Sequence, residues 1–117
     1  MKVFVLEDDP LRIRVFEQML VGHETVYAQD VERARKAFDK WGPFDVMFLD
    51  HDLGGQVYVP SEDPTTGYAF LKSVVDRLGD TQVVVHSYNE PAARRMMALR
   101  PDGADWKRIP FNARMIA

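Results

Sequence analysis

A short apolar run that ends in acids is the feature that most constrains the fold. In the stretch Phe44–Gly55, read FDVMFLDHDLGG, four apolar residues stand together and Asp50, His51 and Asp52 follow at once. An apolar run without polar alternation is typical of a strand buried on both faces, as in a parallel sheet. Ligands of such sheets bind beyond the carboxyl ends of the strands, so these three side chains indicate a site. The alternative is an acidic turn that caps the next helix.

The rest of the chain repeats this pattern of strand, polar end and helix. Val3-Phe4-Val5-Leu6 predicts a first strand that ends in Glu7-Asp8-Asp9-Pro10, and further strands are predicted at 25–28, 82–85 and 105–109. Apolar stripes at helical spacing predict the helices between them. The stripes are Leu11, Val15, Phe16, Met19 and Leu20; Val31, Ala34, Phe38 and Trp41; and Leu71, Val74, Val75 and Leu78. A fourth helix is predicted from Pro91 to about Leu99.

Alternating strands and helices predict one α/β domain over residues 1–117, with a doubly wound, five-stranded parallel sheet. The expected topology is flavodoxin-like, with strand order 2-1-3-4-5. This order brings the ends of the first and third strands together, so Glu7 and Asp8 should face Asp50 and Asp52. Few residues remain after Phe111, so any last helix is cut down to Asn112–Ala117.

Composition excludes several classes of protein. The chain of 117 residues has a formal charge of −3 and a hydrophobic fraction of 46%, which does not favour a surface for duplex nucleic acid or membrane. It contains no cysteine, so a disulfide framework and thiolate chemistry are excluded. No apolar run approaches the roughly 20 residues that cross a bilayer. We therefore expect a cytoplasmic protein.

Converging carboxylates at two strand ends predict a metal site. Several carboxylates in one crevice repel one another, and oxygen ligands favour Mg²⁺ or Mn²⁺. Mg²⁺ commonly binds through one or two carboxylates together with a substrate phosphate, which indicates phosphate chemistry. Asp9, directly before Pro10, is instead interpreted as a helix cap.

Four motifs at strand ends resemble the receiver domain of bacterial response regulators over nearly the whole chain. They are Glu7-Asp8-Asp9-Pro10, Asp50, Ser87 and Ile109-Pro110-Phe111. The resemblance implies that Glu7 and Asp8 are the metal-binding acid pair and that Asp50 is the phosphoacceptor. It also implies that the backbone carbonyl of Asp52 completes the metal site, and that Ser87 senses the phosphoryl group. The Ile109–Pro110 bond would then be a candidate cis peptide.

Two departures from the receiver pattern weaken the prediction of an ordinary phospho-switch. Receivers carry a lysine just before the proline of the fifth strand, and this chain has Ile109 there. Lys107 lies on the same face but about 6.6 Å further back, so it reaches a phosphate only if its side chain curls forward. The second departure is the shortened last helix.

Two histidines are additions to the receiver pattern. His51 and His86 follow strands that should be neighbours, and a histidine transfers protons near neutral pH or binds a metal. With Asp50 they are the candidate catalytic residues for hydrolysis or rearrangement of a phosphate ester. The alternative is that His51 points away from Asp50 and that His86 is a satisfied core histidine.

The LDHDLG and VHS segments and the insertion after Gly55 together resemble the cyclic-phosphate-processing receiver domain. That resemblance implies a role with cyclic phosphates or nucleotides, in bacterial or phage conflict systems. The polar insertion, residues 56–66, is long enough to act as a lid or specificity element. Tyr58 within it and Tyr88 after the fourth strand are candidates for stacking on a base, with simple packing as the alternative.

Three functions stay open from the sequence. The first is a Mg²⁺- or Mn²⁺-dependent protein that processes a phosphorylated small molecule or cyclic nucleotide. The second is a signalling receiver that a histidine kinase phosphorylates at Asp50. The third is a pseudo-receiver, a binding module without either reaction.

Overall fold

The computed structural model describes residues 1–53 and 60–112. Five strands and four helices alternate along the described chain. They are β1 (Lys2–Leu6), α1 (Pro10–Met19), β2 (Glu24–Ala28), α2 (Val31–Trp41), β3 (Val46–Leu49), α3 (Gly67–Val74), β4 (Gln82–Val85), α4 (Glu90–Met97) and β5 (Trp106–Arg108). A single turn of 3₁₀ helix, Val75–Arg77, continues α3.

The sheet has the predicted topology. All four strand pairs are parallel and the order is β2-β1-β3-β4-β5, so the flavodoxin-like prediction is confirmed. In the register of the three central strands, Leu6 pairs with Leu49 and Leu49 pairs with Val85. The residues that come next in each strand therefore emerge side by side at the carboxyl edge of the sheet.

Both faces of β1 and β3 are buried, as their unbroken apolar sequence predicts. In β1, Phe4 and Leu6 pack with the apolar sides of α2, α3 and α4, whereas Val3 and Val5 pack with α1. Alternate side chains of a strand point to opposite faces, so each strand contributes to two cores. The sheet is therefore packed on both faces below the edge where the polar residues emerge.

Side-chain caps fix the starts of the helices. Asp9 accepts a hydrogen bond from the backbone N–H of Leu11, and Asp30 accepts one from that of Arg33. Both acids thus satisfy N–H groups that a helix start leaves unpaired. Asp9 is a cap in the structure, as its position before Pro10 predicts.

Two predicted core residues are exposed. Leu11 is 71% exposed and Trp41 is 44% exposed, so their assignment to the buried stripes is wrong. The buried stripe of α1 runs through Phe16 and Leu20, and the residue four positions before Phe16 on this line is Arg12 rather than Leu11. Trp41 is the last residue of α2, where the helix has passed the edge of the core.

Smaller differences concern element ends. The helix before Gly22 already ends at Met19, and β3 is shorter than the predicted Phe44–Asp50. The helix α4 ends two residues before Leu99. Among the described peptide bonds, the cis bond is Gly42–Pro43 and not Ile109–Pro110. The predicted last helix falls almost entirely on residues 113–117, which lie outside the described residues.

Within residues 1–53 and 60–112, no helix has the length and apolar character that a membrane crossing requires.

Candidate functional site

The register of the sheet brings Glu7, Asp50 and His86 together. Each residue directly follows one of the paired positions at the ends of β1, β3 and β4. Backbone hydrogen bonds fix this edge, from Asp50 N to Leu6 O at 3.1 Å and from His86 N to Leu49 O at 3.0 Å. One ligand atom from each of the three side chains lies within 4.8 Å of the others. All three residues are buried, so they form a polar cluster at the carboxyl edge of the sheet, which together with Arg12 is called the crevice below.

Glu7 is the most connected member of this cluster. His86 Nε2 lies 2.9 Å from Glu7 Oε1, and because a carboxylate only accepts, the imidazole donates. Glu7 Oε2 accepts from the backbone N–H groups of Asp8 and Asp9 at 3.0 and 3.1 Å. Burial raises the pKa of Glu7, but the hydrogen bond and charge of His86, with the Asp9 N–H and Arg12, leave that pKa below its ordinary value. Glu7 is therefore a carboxylate at neutral pH.

The pKa of Asp50 is shifted in the opposite direction from that of Glu7. Burial is the largest influence and raises its pKa to about 6, with the charge of Glu7 acting in the same direction; His86, the His51 N–H and Arg12 oppose it. Asp50 Oδ1 accepts the backbone N–H of His51 at 2.8 Å. A carboxyl group that titrates near neutral pH is ready to exchange a proton or to accept a cation.

Arg12 completes the crevice. Its Nη1 lies 3.5 Å from Glu7 Oε1 and 3.9 Å from Asp50 Oδ2. The guanidinium carbon sits 4.8 Å from the centre of the Tyr88 ring and 5.0 Å from that of the Phe111 ring. Cation–π contacts on two rings hold the planar group in place. Arg12 is thus a fixed positive charge beside the two buried carboxylates.

The structure places His51 away from this crevice. His51 Nδ1 lies 2.8 Å from Asp52 Oδ1, and His51 Nε2 lies 3.1 Å from the hydroxyl oxygen of Ser61. The Asp52 carboxylate also lies 3.4 Å from the side-chain nitrogen of Asn89, measured to each oxygen. His51 and Asp52 therefore belong to a second polar cluster with Ser61 and Asn89, whereas His86 belongs to the first.

The other predicted site residues divide between the crevice and the rest of the surface. Asp8 is half-buried next to Glu7, and Ser87 is buried, with its hydroxyl oxygen accepting from Asn89 N at 3.0 Å. The Tyr88 hydroxyl donates to the Phe111 carbonyl while its ring covers Arg12. Lys107 is exposed in a groove lined by Met1, His23 and Asp105, among others, and does not join the cluster. Tyr58 lies outside the described residues.

The donor set of the crevice fits a divalent cation. Two buried carboxylates and an imidazole are hard and intermediate ligands of the kind that such ions use. His86 Nδ1 is buried and has no hydrogen-bond partner in the described part of the chain. Because buried polar atoms are seldom unpaired, this atom supports a ligand at the site. Glu7 and Asp50 offer oxygen ligands for the ion, and His86 could join them only through Nδ1, because its Nε2 donates to Glu7.

Sequence reasoning missed Arg12, Ser61 and Asn89. The signal for Arg12 was its place four residues before the buried Phe16, which puts both on one helix face. Asn89 directly precedes a helix that starts with Glu90-Pro91 and caps it, accepting the N–H of Ala92. Ser61 had no signal, because a contact across a loop to His51 follows no local spacing.

Comparison with known proteins places the chain among receivers. The sequence model of the family described as cyclic-phosphate processing Receiver domain matches residues 1–100. No curated protein gives a significant match. The receiver domain of NtrX from Brucella abortus has 27% identity and a TM-score of 0.69, over 97% of this chain and 90% of that one.

Two further solved structures share the fold at lower identity. The Mn²⁺-bound form of response regulator Rcp1 is 18% identical with a TM-score of 0.69, over 98% of this chain and 85% of that one. A CheY-like receiver protein from Methanospirillum hungatei is 15% identical with a TM-score of 0.72, over 97% and 84%. Both agree with the predicted fold class.

Proposed function

The chain belongs to the family of cyclic-phosphate processing receiver domains, and on this premise we propose that it binds and processes a phosphate ester in a divalent-metal-dependent reaction. The observation that carries the proposal is the buried cluster of Glu7, Asp50 and His86. A cyclic phosphate or cyclic nucleotide is the substrate class that the family description favours. Glu7 and Asp50 would hold the ion, Mn²⁺ or Mg²⁺, because carboxylate oxygens suit both.

Charge complementarity supports phosphate as the ligand. The crevice already carries the Arg12 guanidinium, whose five N–H donors match phosphoryl oxygens in a bidentate way. Arg12 contributes the positive charge that the lysine of other receivers would supply and that Ile109 cannot. The bound cation would stabilise negative charge on the phosphoryl oxygens.

His86 is the residue placed to move a proton. Its Nε2 donates to Glu7, which fixes the orientation of the ring, and its unpaired Nδ1 is left to accept a proton from a water molecule or hydroxyl. Glu7 then stabilises the imidazolium that forms, since it stays ionised. Asp50 binds the cation rather than the proton once its carboxyl group is ionised.

Turnover is tested by ³¹P NMR on the full chain, with Mn²⁺ or Mg²⁺ and with EDTA as the metal-free arm. The substrates are 2′,3′- and 3′,5′-cyclic nucleotides, cyclic dinucleotides and acetyl phosphate. Opening of a cyclic ester converts a diester signal into a linear phosphate signal that grows with time. We expect Asp50→Asn and His86→Gln each to lower the rate at least about 100-fold.

Asp39→Asn is the matched control for these variants, because Asp39 is an exposed carboxylate that pairs with Arg77 far from the crevice. It should keep the wild-type rate. If no cyclic ester is converted with either metal, or if both crevice variants retain full activity, the proposal fails.

A phosphoacceptor receiver is the second candidate. Asp50 directly follows β3, the central strand of a sheet shared with response regulators, and this placement favours phosphorylation at Asp50 by a histidine kinase. In the acetyl phosphate arm, this function would give one acyl phosphate per chain without turnover, and Asp50→Asn would abolish it. That outcome would identify the chain as a signalling receiver instead.

A further inference from the structure

The second polar cluster contains a serine, a histidine and an aspartate in one hydrogen-bonded line. Ser61 Oγ lies 3.1 Å from His51 Nε2, and His51 Nδ1 lies 2.8 Å from Asp52 Oδ1. His51 is fully buried and Ser61 is 5% exposed. None of these three residues belongs to the cluster of Glu7, Asp50 and His86.

The direction of each hydrogen bond follows from the groups themselves. An ionised carboxylate has no proton to donate, so the proton between Asp52 and His51 belongs to Nδ1 of the imidazole. In a neutral imidazole the other nitrogen, Nε2, then carries only a lone pair. The hydroxyl group of Ser61 must therefore donate to Nε2. This order of donors and acceptors is the one in which a histidine activates a serine as a nucleophile.

Neighbouring groups hold the aspartate in place. The side-chain nitrogen of Asn89 lies 3.4 Å from each oxygen of Asp52, and Asn89 is itself fixed as the cap of α4. The Thr66 hydroxyl donates to the Ser61 carbonyl at 3.2 Å, which ties the serine to the start of α3. Both ends of the line are thus anchored to helices.

Ser61 also lines an open surface pocket of about 320 Å³. Asn89, Arg95 and Glu62 line the same pocket, where the Arg95 guanidinium pairs with the Glu62 carboxylate. The Arg95 guanidinium has further N–H donors beside the one that pairs with Glu62, and such donors suit a phosphoryl group. A substrate in this pocket would lie against Ser61.

We propose that Ser61 is a nucleophile that attacks the phosphorus of a phosphate ester bound in this pocket. The Ser61 Oγ–phosphorus bond forms, the bond from phosphorus to the leaving alcohol breaks, and the hydroxyl proton passes to His51 Nε2 and then to the leaving oxygen. Water then attacks the same phosphorus and gives a proton to His51 Nε2. The Ser61 Oγ–phosphorus bond breaks, the proton passes from His51 to Oγ, and the phosphate leaves. This reaction goes beyond the proposed metal-dependent function and needs no residue of the crevice.

The test is covalent labelling of the full chain with a fluorophosphonate. Attack by Ser61 forms an oxygen–phosphorus bond and expels fluoride, so intact mass and peptide mapping locate the adduct. We expect one label per chain at Ser61 and none in Ser61→Ala. Asp52→Asn should slow labelling at least about 100-fold, since an amide favours the wrong tautomer of the histidine. His51→Gln should slow it similarly, with thermal melting used to show that both variants are folded.

Ser73→Ala is the matched control, because the Ser73 hydroxyl donates only to the Phe70 carbonyl of its own helix in the described contacts. It should be labelled at the wild-type rate. Absence of the adduct from wild-type Ser61, or an unchanged labelling rate in folded His51→Gln, would overturn the proposal. The peptide map of the wild-type chain shows whether Ser61 carries the adduct, so it tests the proposal even if a variant does not fold.

Discussion

Replacing Asp50 by asparagine should stabilise the metal-free protein at neutral pH. Burial and the charge of Glu7 raise the pKa of Asp50 from 3.8 to about 6 in the folded state. A shift of roughly 2 units corresponds to about 3 kcal/mol, at 1.36 kcal/mol per unit. Because the group is buried, solvent screening reduces this figure little. Asparagine keeps the size of the side chain and removes the charge, so it should remove most of this cost.

The direction of the pKa shift of Asp50 determines how the stability difference between variant and wild type changes with pH. A carboxyl group whose pKa is raised by folding binds its proton more tightly in the folded state. Its favourable contribution is fully present below the unfolded pKa of 3.8 and is lost as pH rises through about 6. The Asp50→Asn variant should therefore exceed the wild type by up to about 3 kcal/mol at pH 7.5, and by little at pH 4.

Urea unfolding at several pH values, with EDTA present, measures this difference. Asp39→Asn should change stability by no more than about 0.5 kcal/mol, because Asp39 is exposed. Added Mn²⁺ should reverse the order, because the wild type gains binding energy that the asparagine variant lacks. An asparagine variant that is no more stable than the wild type at pH 7.5, or equally stabilised at pH 4, would refute the reasoning.

Two further predictions concern the walls of the crevice. Arg12→Gln should weaken binding of a phosphate ester at least about tenfold, measured by calorimetry, whereas Arg77→Gln should not, because Arg77 makes a similar ion pair and ring contact far from the site. Equal losses in both variants would contradict a specific role for Arg12. Gly67→Ala should destabilise the fold by about 3 kcal/mol, because its Cβ would lie 1.8 Å from the Asp50 carbonyl oxygen. Relieving this clash requires the backbone to move, which costs free energy. Wild-type stability of Gly67→Ala in urea would show that this approach is not tight.

The sheet could be predicted because its determinants are local and repeated. Runs such as Val3–Leu6 and Val46–Leu49 have no polar alternation, and helical stripes separate them. The apolar runs of the strands and the helical spacing between them, together with right-handed crossovers, leave few possible sheet topologies. The buried face of α1 was harder to predict, because its apolar stripe can be drawn to begin at either Leu11 or Arg12. Only packing against the sheet distinguishes the two.

The site could be predicted in part, for a similar reason. Residues that directly follow paired strand positions, namely Glu7, Asp50 and His86, must emerge together once the strand order is known. The direction of a side chain one residue further along is not fixed in this way. His51 contacts Asp52 and Ser61 instead. The contact with Ser61 spans a loop, and no spacing in the sequence encodes it.

The missing lysine and the position of Arg12 have a common electrostatic consequence. Two buried carboxylates need nearby positive charge, and a receiver-type phosphate needs a cationic partner as well. Ile109 supplies neither, and Lys107 lies in a different groove. Arg12 lies near both carboxylates from α1 and is held between two aromatic rings. Since a guanidinium stays charged at all working pH values, the crevice keeps one fixed positive charge whether Asp50 is protonated, ionised or bound to a cation.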